Sequence, residues 1–420
     1  MSIIVFLDGV VGIGLPDKAH CFNVSAFWKD VMPPFRYQII LLGQTNIHQR
    51  KLEEILQARI EELGINPLHV AILSEQDYGL LDSKAPIVAV FFGYSTANDN
   101  SHRSLVDLLR DSITIIPFVD IRSDVLNELP SSISHINAYR SSGSDSDYAR
   151  LVTLILENLR LLRSERRLFI SYKRSESQSI AIQLYEAFDK AGFEVFLDTR
   201  SVPYGAEFQN VLWHRMADCD IVVLLDTPNF RASHWTQLEL SQANATNIQI
   251  LHILWPDVEP DKSSAFSQFR KLKGKDFAGS HEIGAGALLA DAPIHEIVVA
   301  AESLRARAMA ARHRSLVDNF CDRALDCNVS SIAIQPERFI AVQLKSGYEV
   351  AVVPTIGIPR ADRYQELDAA IRKLAPDVKQ IWLLYDERGI LESWLSHLDW
   401  LNSHLPTISV RASKCADRLV

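Results

Sequence analysis

The chain has 420 residues, 47% hydrophobic and 23% charged, the balance of a soluble globular protein with room for two or three domains. A formal charge of −9 argues against a general nucleic-acid binder, and nothing points to nucleic acid directly. Five scattered cysteines (Cys21, Cys219, Cys321, Cys327, Cys415) form neither a disulfide framework nor a metal-ligand spacing, the N-terminal segment is a poor signal peptide, and no apolar run is long enough to span a bilayer; a cytoplasmic protein without membrane association is expected.

Short apolar runs alternate with helical patterns from end to end, which predicts an α/β protein built of parallel sheets covered by helices. Three blocks are expected, spanning 1–164, 165–313 and 314–420. In the first, "SIIVFLDG", "RYQIILLG", "HVAIL", "PIVAVFFGY" and "ITIIPFVD" read as strands. Between them Leu52, Ile55, Leu56, Ile60 and Leu63 form one helical stripe, with Gly64 placed to end the helix. In the second, "LFISY", "FEVFLD", "DIVVLLD" and "ILHILWPD" read as strands, with a helix over Ser177–Lys190 closed by Gly192. Its last helix is "IHEIVVAAESLRARAMAARH", preceded by the loop "AGSHEIGAGALLADAP". The third block offers "SSIAIQ", "RFIAVQL" and "YEVAVVPTIG", a helix opened by Pro359, the strand "QIWLLYD", a helix through Trp394 and Trp400, and "TISVRA". It reads as a small α+β or α/β domain. Gln343 and Lys345 there lack the paired carboxylates of a nuclease, and Lys345 fits an edge-strand lysine.

Blocks one and two align without gaps at "SHRSLVDL" (Ser101–Leu108) and "SHWTQLEL" (Ser233–Leu240), each copy flanked by strands, as a duplicated α/β unit would leave them. Where the second copy has Trp235 and Glu239, the first has Arg103 and Asp107. The first block's "GVVGIGLPDK" lacks the glycine and lysine spacing of a phosphate loop.

Ligands of open parallel sheets bind outside the carboxyl ends of the strands. In block two these ends carry Ser171, Tyr172, Lys173 and Arg174, then Asp198, Thr199, Arg200 and Ser201, then Asp226, Thr227 and Trp235. Trp235 and Glu239 stand at i and i+4 on the next helix and share its face, with Ser233 as N-cap. One carboxylate, one large aromatic and adjacent cations suit a ligand with a ring, a ribose and phosphates. A solvated surface glutamate and a half-buried packing tryptophan account for the same letters, and the residues alone leave both readings open.

The segments "FISYKRSES", "AGFEVFLDTRSVPYGAEF" and "DIVVLLDTPNFRASHWTQLEL", in this order and at these intervals, resemble the Toll/interleukin-1 receptor (TIR) domain. The likeness covers about 166 to 256, with a weaker tail to about 313. It implies a flavodoxin-like parallel sheet, with block one a TIR-like or flavodoxin-like domain without catalytic activity. Bacterial and plant members of the family cleave NAD+ with a glutamate four residues after the tryptophan. The resemblance therefore implies Glu239 as the catalytic group and Ser171, Tyr172, Lys173, Arg174, Asp198, Arg200, Ser201, Thr227 and Trp235 around the dinucleotide. NAD+ is then a substrate, with no cofactor and no metal. Thr236 stands where many bacterial members carry cysteine, and "LLDTPNF" where a serine-containing segment is frequent; both departures bear on substrate fit. Self-association through TIR domains, with the segment 198–208 at the interface, is implied as well. So are an activating ligand or partner protein and a regulated role in antiviral or immune defence by NAD depletion. The rival expectations are a non-enzymatic TIR scaffold or adaptor, and a TIR synthase of a cyclic ADP-ribose signal.

Overall fold

The computed structural model describes residues 36–82, 85–93, 102–197, 208–230, 248–260, 267–284 and 286–419. The strand expected over "SIIVFLDG" lies outside them. Residues 1–164 and 165–420 form two compact units.

In the first unit β1 (Tyr37–Gly43), β2 (Val70–Ser74), β3 (Ile87–Phe92), β4 (Thr114–Asp120) and β5 (Tyr139–Ser141) make a parallel sheet of order β2-β1-β3-β4-β5. β3, "IVAVFF", has no polar residue, which suits a strand covered on both faces. The sheet is dressed by α1 (Gln49–Glu62), α2 (His102–Arg110), α3 (Val125–Glu128) and α4 (Asp145–Asn158). Leu52, Leu56 and Ile60 of α1 are buried, and Gly64 takes the left-handed φ of 67° that ends the helix. α4 starts at a capping box in which Ser144 and Asp147 satisfy each other's backbone amides. At the end of β1 only glycine fits: Gly43 has φ 78°, and a Cβ there would lie 2.0 Å from the carbonyl oxygen of Phe92.

The carboxyl rim of this sheet is filled by rings. His48 stacks on Phe92 at 4.5 Å, Phe118 stacks on Tyr139 at 5.5 Å, and the His48 Nδ1 lies 2.6 Å from the Tyr148 hydroxyl. Asp107, the shorter acid of the first motif copy, is paired with Arg110 at 2.9 Å.

In the second unit β6 (Arg167–Ser171), β7 (Glu194–Leu197), β8 (Ile221–Asp226), β9 (Gln249–Leu254) and β10 (Ser267–Lys271) form a parallel sheet of order β10-β9-β8-β6-β7. Counted from the first strand of each, the two sheets share one order (second, first, third, fourth, fifth), that of flavodoxin-like folds. α5 (Arg174–Lys190) and α6 (Phe208–Asp218) belong to this layer. A third, mixed sheet follows. β11 (Ser331–Ile334), β12 (Ile340–Gln343) and β13 (Glu349–Pro354) run antiparallel, and β14 (Gln380–Tyr385) and β15 (Thr407–Arg411) continue parallel to β13. α8 (Ala361–Leu374) and α9 (Glu392–Asn402) are the crossover helices of its parallel half.

The second and third sheets share one helix. α7 (Asp291–Asp326) has 36 residues, about 54 Å at 1.5 Å per residue, and passes through 313–314 without interruption. No glycine or proline follows Pro293 to stop it until Asn328 turns with φ 52°. Its first half contributes Ile297, Ala301, Leu304 and Ala308 to the core over β6, β8 and β9. Its second half contributes Leu316, Val317, Phe320 and Ala324 to the core under β12–β15. Among the described residues no helix is long and apolar enough to cross a membrane.

Within the first half of α7, Arg305 is 1% exposed and its Nε donates to Asp220 Oδ2 at 2.7 Å, while Nη2 donates to the Glu165 carbonyl at 3.3 Å. Asp220, just ahead of β8, is 0% exposed. A buried pair adds little over an apolar pair of the same shape, but removing one partner strands the other charge. Arg305→Met is therefore expected to cost about 3–5 kcal/mol in urea unfolding, and combining it with Asp220→Leu to recover most of that loss. Equal destabilisation by the single and double variants would contradict this account.

Candidate active site

β8, β6 and β7 are neighbours in the central sheet and parallel, so their carboxyl ends share one rim. The chain leaves them at Ser171, Leu197 and Asp226. Of the expected site residues, Asp198, Arg200, Ser201, Trp235 and Glu239 lie outside the described residues. Ser171, Tyr172, Lys173, Arg174 and Thr227 are described, and the structure does not treat them alike.

Ser171 (2% exposed) ends β6, and Tyr172 (3%) packs into the core cluster with Ile180 and Leu184. Lys173 is the N-cap residue of α5, in extended conformation, and Arg174 is the exposed first residue of the helix. The Lys173 ammonium turns along the rim: Nζ donates to the Asn229 carbonyl at 3.1 Å and pairs with Glu176 Oε1 at 2.9 Å. Thr227 (1% exposed) opens the turn after β8, its amide bonded to the Leu225 carbonyl and its own carbonyl accepting from the Phe230 amide.

Glu176 is the residue that sequence reasoning passed over. It is 6% exposed, and its Oε2 accepts from the Asn229 amide at 3.3 Å. It thereby ties the β6–α5 junction to the turn after β8. Burial pushes its carboxyl up, but the polar groups facing it, the Lys173 ammonium and the Asn229 amide among them, outweigh that and hold it at about 2. Two cues lie in "SYKRSES": the acid stands three residues after a lysine, and it falls in the first turn of a helix, where the dipole favours negative charge. The Glu176 carbonyl also accepts from the Gly284 amide at 2.8 Å, and the Glu282 carbonyl accepts from Trp255 Nε1 at 2.6 Å. The glycine-rich loop before α7 is thus fastened to this rim. A second unanticipated pair lies beneath: Asp226 and His252, each 1% exposed, with Nδ1 3.7 Å from Oδ2.

Chemically, the described rim is a rigid polar frame. A cation is held by a carboxylate and a carbonyl, and a helix N-terminus with an exposed arginine stands beside it. Such a frame favours an anionic ligand group at its edge. No cluster of histidine, cysteine, aspartate and glutamate among the described residues could hold a metal ion.

The depressed Glu176 pKa has a sign that can be followed. A carboxyl at about 2 in the fold against an ordinary 4.5 contributes stability that is fully present above about 4.5 and fades as pH falls toward 2. The shift corresponds to roughly 3 kcal/mol. Glu176→Gln is expected to lower urea stability by about 1–3 kcal/mol at pH 7, with the gap from wild type closing below pH 4.5. A gap independent of pH would sink the electrostatic account.

One comparison with known proteins falls on this same block. A family model described as TIR domain matches residues 168–289. No curated protein matches the chain. Among solved structures, proximal thread matrix protein 1 from the mussel byssus is similar at 9% identity and a TM-score of 0.20, over 64% of this chain and 96% of that one. Tagatose-6-phosphate ketose/aldose isomerase from Escherichia coli is similar at 14% identity and a TM-score of 0.17, over 68% and 84%. Likenesses that weak carry no weight for fold or function. The parallel sheet β6–β10, its strand order and the matched span agree: at its centre the chain carries a TIR domain.

Proposed function

We propose that the central domain is an NAD+ glycohydrolase that cleaves the bond between nicotinamide and ribose, with Glu239 as its catalytic carboxylate. TIR domains act in signalling or in NAD handling, and this reading takes the second course. The observation that carries it is the spacing of Trp235 and Glu239, four residues apart within the matched span and in the segment that follows β8.

The chemistry asks little beyond one ionised acid. Nicotinamide departs from a cationic pyridinium as a neutral molecule, so no general acid has to protonate it. The C1′–N bond breaks with its electron pair going to the ring, and positive charge develops on the ribose. A carboxylate beside the sugar stabilises that oxocarbenium-like state. Water then adds to C1′ and loses a proton, so NAD+ and water yield nicotinamide, ADP-ribose and a proton. Lys173 and Arg174, at the start of α5, are assigned in this proposal to the diphosphate. Asp198, Arg200, Ser201 and Thr227 are likewise assigned to the polar contacts of the dinucleotide, and Trp235 to one of its rings. Tyr172 and Ser171, buried as they are, act by supporting the rim.

An enzyme that drains NAD+ from the cytoplasm harms its own cell unless it is held in check. Assembly of TIR domains through 198–208, in answer to an activating ligand or partner protein, is the control this reading entails, with defence by NAD depletion as its purpose. That purpose rests on analogy with the family.

The test incubates the full chain, clustered on a multivalent support, with NAD+ and follows nicotinamide release by chromatography. Glu239→Ala is expected to lower release by about 10²-fold or more at unchanged folding. An assembled wild-type protein that releases no nicotinamide favours the scaffold reading. A cyclic product in place of ADP-ribose assigns the chain to signal synthesis.

A further inference from the structure

The third sheet has a rim of its own. β13, β14 and β15 are adjacent and parallel, and the residues that follow their carboxyl ends surround a cavity of about 280 Å³ closed on its far side by α7. This is the place where open α/β sheets take ligands, and the size is at the lower end of small-molecule sites. The helix presents one stripe to it: Arg312, Ser315, Asn319 and Arg323, at intervals of three and four.

The lining mixes polar and apolar surface and carries three guanidinium groups against two carboxylates. Arg323 Nη1 donates to the Ser413 carbonyl at 2.6 Å, which fixes the side chain at the cavity wall, and a guanidinium has further N–H groups to offer. After β14, Asp386 accepts from its own turn at the Arg388 amide (3.1 Å) and holds the Arg388 guanidinium in a two-point ion pair, Nε to Oδ1 at 2.8 Å and Nη2 to Oδ2 at 2.5 Å, so that arginine is fixed beside the cavity and a ligand there would share both groups. Glu387 accepts from the Ser413 amide at 3.4 Å. After β13, Thr355 and Gly357 form the floor, Gly357 with the left-handed φ of 81°. A bare anion would meet the two carboxylates at close range. A molecule carrying both an anionic group and hydroxyls would satisfy the arginines with the first and the carboxylates with the second.

We propose that this cavity binds a small phosphate ester of a hydroxylated molecule, a sugar phosphate or mononucleotide, with Arg323 and Arg388 on the phosphate and Asp386 and Glu387 on the hydroxyls. The site is separate from the one proposed for NAD+ cleavage and stands or falls without it. Its wall touches the TIR domain directly. Arg312 Nη1 and Nη2 donate to the carbonyls of Cys219 and Ala217, at 2.7 and 2.9 Å, just past α6 and within it. The amide of Ile358, next to Gly357, donates to Asp218 Oδ1 at 3.0 Å.

The test is calorimetric titration of the full chain with ribose 5-phosphate, AMP and inorganic phosphate. At least one of the two esters is expected to bind, and Arg323→Gln to weaken it by about tenfold or more, the loss of a charge-assisted hydrogen bond. Ser315→Trp, which fills the cavity from the helix side, is expected to abolish binding; it serves as the second variant should Arg323→Gln fail to fold. No binding of either ester at millimolar concentration overturns the proposal. So does binding of inorganic phosphate alone, or ester binding that both substitutions leave unchanged.

Discussion

The second unit depends on one helix being a member of two cores. α7 supplies Ile297, Ala301 and Leu304 to the TIR sheet and Phe320 and Ala324 to the mixed sheet, so neither layer is complete without it. Along the same helix, interleaved with these apolar residues and just past them, polar contacts that tolerate little sliding set its register. Arg305 meets Asp220 at the foot of β8, Arg166 pairs with Glu302, and Arg312 caps the carbonyls at the end of α6. Apolar packing alone would accept a shift along the helix axis; buried guanidinium groups with fixed partners do not.

The same constraint explains why the two candidate sites share a design while differing in material. Each lies at the carboxyl rim of adjacent parallel strands. At the TIR rim the polar groups are already bound to one another, Lys173 to Glu176 and Asn229, which preorganises the frame. At the mixed sheet the helix itself forms a wall, and a cavity remains open between it and the strand ends. The first unit repeats the TIR strand order but fills its rim with His48, Phe92, Phe118 and Tyr148. One topology thus yields a frame in one copy and a plug in the other, decided by the side chains at the strand ends.

Much of this was legible from hydrophobic patterning. β3, β8 and β13 are built on apolar runs, and burial on both faces leaves that signature. β5 and β10 escaped because they are edge strands with little to bury: "YRS" and "SQFRK" are strands only because a neighbour offers them a ladder. The continuation of α7 beyond His313 was there to be read in Leu316, Val317, Phe320 and Ala324, spaced for a helix with no stop signal before them. The position of Lys173 and Arg174 at the junction of β6 and α5 was legible. Glu176 was not, because its role depends on Asn229, 53 residues away, and no local pattern announces such a partner. Tyr172 carried the opposite lesson: an aromatic at a strand end reads as a ligand contact, yet its side chain is buried in the core.

A helix seated in two cores is also a mechanical part. A straight rod of about 54 Å that pivots by one degree about one end carries the other through about 1 Å, a displacement comparable to the helix shifts by which subunit interfaces switch. Leverage of this kind needs no loop to move and no interface to open. Seated in both cores, the helix gives the two sheets one common axis.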